Sequence, residues 1–329
     1  MGLILVGIDE AGYGPLLGPL CIGMSAVRIE DWKPGDPAPD LWKRLSGSVC
    51  RKGNDARGRV AVEDSKRLKL ANDSTSRHPL THLDRGVHAF LRALGRRPTT
   101  DLELLECLGS VPEPHAWYAG PALDAPASGT PEQMDIAGNV LVRGLADAGV
   151  TVLELACCVV GEGAFNAAVR AHRTKAAASA VGLGAHFRDA WERWGPDGLG
   201  PDGGARIVCD RQGGRVDYEA TLVGLVPGAE VRVVEQRPER GRYELSGDGR
   251  AMSVIFQPEA ESAYLPVALA SMAAKLVRET LMARFNRHWC ALLPELKPTA
   301  GYTQDGRRWL REARAVLSAQ DKDAMIRIA

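Results

Sequence analysis

The chain begins with Leu3-Ile4-Leu5-Val6-Gly7-Ile8 followed by Asp9-Glu10, and this junction constrains the fold more than any other feature. A continuous apolar run bounded by glycine reads as a strand buried on both faces, central in a parallel or mixed sheet. Such strands rarely end in two carboxylates, because each needs a cation, a cap or a metal to offset its desolvation. Gly12, Gly14, Pro15, Gly18 and Pro19 come next and break the strand into a turn. A second strand is expected at 20–29.

Further along, apolar runs alternate with helical spacing. The pattern predicts strands at 151–160, 206–210, 230–235 and 252–257. Helices are expected at 41–45, 80–94, 132–148, 164–194, 265–286 and 307–317. The stretches 31–60 and 101–130 read as irregular insertions, and 196–204 as a surface loop. No composition break divides the chain. It therefore reads as one elaborated α/β domain over 1–287, with insertions near 31–60, 101–130 and 195–204, then a helical C-terminal region at 288–329.

Forty-one Lys and Arg balance forty-one Asp and Glu, which excludes general attraction to polyanions, so any grip on nucleic acid must be local. The charge is uneven. Residues 31–97 hold fifteen basic and eight acidic side chains, 101–135 hold seven acids and no Lys or Arg, and 271–329 hold eleven basic against six acidic. The plain reading is solvated faces; the functional one is two basic regions on a phosphate backbone with an acidic region held away. No apolar run reaches the roughly 18 residues of a membrane helix. The apolar start has no basic flank before it, so no signal peptide is expected there. Seven cysteines without a C-x-x-C pattern suggest reduced thiols and a cytoplasmic location. No membrane contact and no obligate protein partner is expected.

The predicted strand at 206–210 also ends in an acid, Asp210. If the two strands are neighbours, their acids converge. Glu279 follows Lys275 by one helical turn and shares its face. Carboxylates from distant positions meeting at a sheet edge suit Mg²⁺ or Mn²⁺. Two such ions about 4 Å apart can activate a water and stabilise a leaving oxygen in phosphodiester cleavage. Spacing alone leaves helix caps and surface charges as the alternative. Arg211, with Gly213, Gly214 and Arg215, is either a turn or a basic loop over the acids. The glycines do not form a dinucleotide turn, because Leu17 occupies the third glycine position. His78 and His82 have zinc-like spacing but are split by Pro79, and Gly161-Glu162-Gly163 reads as a plain turn before a helix.

Four segments together resemble the type 2 ribonucleases H (ribonuclease HII). They are Gly7-Ile8-Asp9-Glu10-Ala11-Gly12-Tyr13-Gly14-Pro15-Leu16-Leu17-Gly18-Pro19, Asp64-Ser65-Lys66-x-Leu68, Ala270-Ser271-x-x-Ala274-Lys275-x-x-Arg278-Glu279 and Gly301-Tyr302-x-x-Asp305-x-x-x-Trp309-Leu310. The resemblance implies a ribonuclease H-like α/β fold, a five-stranded mixed sheet flanked by helices with a helical C-terminal part. It also implies an endonuclease acting on the RNA strand of an RNA–DNA hybrid, or on ribonucleotide-containing duplex DNA. By position, Asp9, Glu10, Asp210 and Glu279 are the implied catalytic carboxylates, holding two Mg²⁺ or Mn²⁺ ions. Gly12, Tyr13 and Gly14 form the turn that approaches the ribose 2′-OH. Lys66 is implied to contact phosphate and Tyr302 to pack on a sugar, with Lys275 and Arg211 as further substrate-side cations.

The chain departs from the family in three ways. Position 13 is Tyr where the family turn carries Arg, the fourth acid is Glu279 where the family has Asp, and the chain is much longer than a minimal member. Glu279 is expected to reach the site but to hold its ion loosely, favouring Mn²⁺. The departures keep a second reading open: a diverged nucleic-acid-binding protein, or a nuclease for another structured substrate.

Overall fold

The computed structural model describes residues 2–199, 204–211 and 215–328. Part of the surface loop expected at 196–204 and the middle of the Arg211 loop lie outside these residues. The strands are β1 (Gly2–Ala11), β2 (Leu20–Glu30), β3 (Val49–Cys50), β4 (Val60–Ala61), β5 (Val150–Val160), β6 (Gly204–Asp210), β7 (Glu230–Arg237), β8 (Arg240–Gly247) and β9 (Arg250–Gln257). Seven of them form one sheet in the order β5-β2-β1-β6-β9-β8-β7, while β3 and β4 make a separate short pair. β1 runs antiparallel to β2 and parallel to β6, and β6 runs parallel to β9.

The mixed sheet flanked by helices is as expected, but it has seven strands where five were expected. The two strands beyond five are β7, expected at 230–235, and β8, which pair as a hairpin and lengthen the sheet beyond β9. The sequence reading passed over β8, although Arg240, Arg242 and Glu244 alternate there with the buried Gly241, Tyr243 and Leu245, the period-two pattern of a half-buried strand. A hairpin signal is also present at Asp248-Gly249, where both residues have positive φ, 48° and 69°. The segment 101–130 is also less irregular than expected, since a Thr100-capped helix spans Asp101–Cys107 and a 3₁₀ turn spans Ala116–Tyr118. It is tied to the core by Arg284, which pairs with Asp101 at 2.6 Å and donates to the carbonyls of Tyr118 and Gly120. The stretch expected to be helical at 164–194 is two helices, Glu162–His172 and Lys175–Trp194, divided at Arg173 in the left-handed region. No helix among the described residues is long and apolar enough to cross a membrane.

Alternation along β1 assigns its faces. Ile4, Val6 and Ile8 point into one core with Phe187, Tyr218 and Phe256, while Leu3 and Leu5 point into the other with Leu269 and Met272. Gly7 and Asp9 share the second face, which is covered by the Leu265–Leu292 helix. This helix packs at backbone distance. A Cβ added at Gly7 would lie 2.2 Å from the Pro266 carbonyl carbon, and one at Gly23 on β2 would lie 2.0 Å from the Ala270 oxygen. The Ser25 hydroxyl, on the same face, donates to the Pro266 carbonyl at 2.7 Å.

Gly7→Ala is therefore expected to destabilise the protein by about 2–4 kcal/mol, since neither strand nor helix backbone can move aside cheaply. Urea unfolding measures it. A change under about 0.5 kcal/mol would mean that the helix does not rest on the strand.

Candidate active site

In the parallel register, Ile8 of β1 pairs with Cys209 of β6, which puts Asp9 beside Asp210. Both sit on the face covered by the Leu265–Leu292 helix, because Val208 shares that face. Asp9 accepts a hydrogen bond from the Ser271 side chain and one from the Glu10 amide at 2.8 Å. Burial, then the charge of Glu10 and that of Asp210, push its carboxyl well above the usual range. Asp210 is also raised, mainly by burial. Hydrogen bonds from the Ala260 amide (3.1 Å) and the Arg211 amide, and the charge of Lys66, pull it the other way. Glu10 belongs by alternation to the opposite face, and its charge acts on Asp9 and on Tyr13.

Lys66 reaches this acidic edge through local chemistry. Asp64 caps the short helix Ser65–Leu68 by accepting from the Lys66 amide at 3.0 Å. Ser65 is buried, with its hydroxyl 3.0 Å from that of Ser271, so the motif is tied to the helix beside Asp9. Lys66 itself is exposed, and its charge acts on Asp210 and Glu261. Glu261 is an additional acid that the sequence reading missed, raised by burial and by the charges of Asp210 and Asp64.

The glycine turn is built from beneath by two buried arginines. Arg278 donates to the carbonyls of Pro19 (2.6 Å), Leu17 (3.1 Å) and Ala300 (3.0 Å). Arg327 donates to those of Gly12 (2.6 Å), Tyr13 (2.8 Å) and Gly18 (3.3 Å), and lies 3.8 Å from the Phe165 ring centroid. Gly12 and Gly18 have φ of 91° and 81°, and a Cβ on either would strike Arg278. Gly14 differs: nothing lies within 4 Å of a Cβ there. Neither its backbone nor its surroundings require glycine, and open space lies above it. Arg327 was invisible to motif reading, because its partner residues lie more than 300 positions away.

Glu279 stands apart from the strand-end pair in its bonding. Its carboxylate is 2.6 Å from the Lys275 ammonium, which in turn lies 5.9 Å from the ring centroid of half-exposed Tyr302. Ser271 and Glu279 are eight residues apart, about 12 Å along the helix axis. Glu279 also lines a cavity with His78, Asn286, Thr299 and Asp305. Arg211 donates to the carbonyls of Arg215 and Pro238. Among the described residues, the compact donor group with every ligand atom within 4.8 Å of the others is Glu113, His115 and Glu162, and the four acids named from sequence do not form one.

No protein-family model matches the chain, and no curated protein does. Among solved structures, the chain is similar to the ribonuclease HII of Archaeoglobus fulgidus in its PCNA complex, at 15% identity over 99% of this chain and 94% of that one, with a TM-score of 0.41. It is similar to the ribonuclease H2 of Pyrococcus horikoshii OT3 at 15% identity, covering 94% and 86%, TM-score 0.38. It is similar to Bst-RNase HIII in complex with Mn²⁺ at 13% identity, covering 99% and 67%, TM-score 0.41.

The raised Asp9 carboxyl has a pH signature. An acid held above its ordinary value of 3.8 binds its proton more tightly folded than unfolded. Folded stability is therefore lost as pH climbs from that value toward the folded pKa. In chelator at about pH 7, Asp9→Asn is expected to be more stable than the parent, with the gap closing toward about pH 4. A gap that did not change with pH in denaturant titrations would contradict the burial of this charge.

Proposed function

We propose that the chain is a divalent-cation-dependent endonuclease of the ribonuclease H type, hydrolysing the RNA strand of RNA–DNA hybrids or cutting at ribonucleotides embedded in DNA. The observation that supports this best is the pairing of Asp9 with Asp210 on one face of two parallel central strands, beside a glycine turn and the exposed Lys66. The donors are all carboxylate oxygens, and the burial and carboxylate repulsion that raise Asp9 are costs that a cation would relieve. Asp9 and Asp210 would hold Mg²⁺ or Mn²⁺, with Glu10 adding negative charge from the strand's other face. When bound, such ions supply an activated water and charge stabilisation at the leaving oxygen.

The chain's own residues position the rest. Ser271 orients Asp9, and the Ala260 amide orients Asp210. Lys66 presents an exposed cation to phosphate. The turn carbonyls of Gly12, Tyr13 and Gly18 face inward to Arg327, and the open side of Gly14 admits a ribose at backbone distance. The half-exposed ring of Tyr302 offers a sugar-packing face.

One observation favours a second reading, duplex binding without hydrolysis: Glu279 is neutralised by Lys275 rather than left for an ion. Incubation with an RNA–DNA hybrid, a DNA duplex holding one ribonucleotide, and all-DNA, each with Mg²⁺ or Mn²⁺, separates the two. Cleavage of the first two only is expected, abolished by chelator and reduced by roughly three orders of magnitude or more in Asp9→Asn and Asp210→Asn. Binding without cleavage under either ion would establish the second reading.

Two substitutions test the substrate contacts. Lys66→Ala is expected to weaken every duplex about equally and to lower the salt slope by roughly one ion; an unchanged slope would make it a solvated lysine. Gly14→Ala is expected to leave thermal stability intact while reducing the preference for RNA over DNA. Unaltered discrimination would remove the turn from the recognition surface.

A further inference from the structure

Glu113, His115 and Glu162 come from segments that the nuclease reading does not use. Glu113 and His115 lie just before the 3₁₀ turn Ala116–Tyr118, in the acidic insertion. Glu162 follows β5 and opens the Glu162–His172 helix. One ligand atom from each lies within 4.8 Å of the other two.

The group is held like a ligand set. The Glu113 carboxylate accepts from the Gly163 amide at 3.1 Å and the Ala164 amide at 2.8 Å, and its Oε2 is 3.0 Å from His115 Nε2. The imidazole is stacked on Trp117 at 4.3 Å. Glu162 is fully buried, and its Oε1 accepts from the Tyr118 hydroxyl at 2.6 Å. Its Oε2 is buried with no hydrogen-bond partner among the described residues. A buried carboxylate oxygen left unpaired is costly, and it calls for a positive partner. Arg327, whose charge acts on Glu162, spends its guanidinium on the carbonyls of the glycine turn.

We propose that Glu113, His115 and Glu162 bind one first-row divalent metal ion of the zinc class, at a site separate from the strand-end acids. One imidazole nitrogen with two carboxylate oxygens suits Zn²⁺ rather than Mg²⁺ or Ca²⁺, and three protein ligands leave a fourth position open. The amides on Glu113 and the hydroxyl on Glu162 are the outer partners that orient such ligands. His115 and Glu113 keep side-chain exposures of 23% and 26%, which gives an ion a path from solvent. Bound there, the ion would clamp the acidic insertion to the helix carrying Phe165, on which Arg327 and hence the glycine turn rest.

The test uses the full chain, stripped with chelator and titrated with Zn²⁺ by calorimetry, with thermal unfolding as a second readout. The Asp9→Asn/Asp210→Asn double variant removes the strand-end acids from competition. About one equivalent of Zn²⁺ and a rise in melting temperature are expected in both the parent and the double variant. His115→Phe keeps the ring stack, and Glu162→Gln keeps the acceptor for Tyr118; each is expected to weaken Zn²⁺ at least about tenfold. Should Glu162→Gln fail to fold, the partly exposed His115→Phe decides alone. Parent-like affinity in His115→Phe, as thiol binding would give, or no Zn²⁺-dependent stabilisation of the parent, would overturn the site and leave Glu113 as a helix cap.

Discussion

The structure depends on one close approach: the Leu265–Leu292 helix lying on β1 and β2 with no side chain between backbone and backbone at Gly7 and Gly23. Small residues along the helix, Ala268, Ala270, Ser271, Ala273 and Ala274, are fully or almost fully buried there. At that separation, successive turns of one helix can serve different parts of the molecule. Ser271 reaches Asp9, Arg278 reaches the glycine turn, and Arg284 reaches Asp101 in the insertion. A helix held one side chain farther out would lose these bonds together, so the register of the helix on the sheet sets the geometry of the candidate site.

The electrostatics follow a division of labour. Arg278 and Arg327 are buried with carbonyl partners, and burial, then the charge of Arg278, pulls Arg327 down to about 10. Arg327 remains a cation at neutral pH beneath the turn. The acids Asp9, Asp210 and Glu261 gather at the strand ends nearby, with Lys66 as an exposed cation among them. Carbonyls turned toward the buried arginines hold the turn in shape. The repulsion among the acids is the stored cost that a bound cation would release. Rigidity of the turn and the crowding of carboxylates thus arise from two separate charge clusters on one scaffold.

Much of this was legible in the chain. The apolar run before Asp9-Glu10 identifies the central strand, the glycines mark the turn, and the small-residue spacing before Glu279 marks the packed helix. Other features were not. β8 was passed over, although its charges alternate with Gly241, Tyr243 and Leu245 at the strand period and Asp248-Gly249 announces its hairpin. The insertion at 101–130 reads as irregular because its order comes from Arg284 and Arg287, which bond its carbonyls from another element. Gly161-Glu162-Gly163 reads as a plain turn, since nothing local reveals that Glu162 meets a histidine and a second glutamate.

Sequence alone determined what each segment is. Period-two alternation assigns the faces of β1, which places Asp9 with Gly7 and opposite Glu10, and helical spacing makes Lys275 the neighbour of Glu279. These are properties of adjacent residues and need no partner. Which strands lie side by side, and which distant side chains meet, was decided only by the tertiary structure. The parallel pairing of β1 with β6 sets Asp9 against Asp210, and the return of the chain's end sets Arg327 under Gly12. Those contacts depend on which packed arrangement best buries the two apolar cores, and no local period encodes that choice.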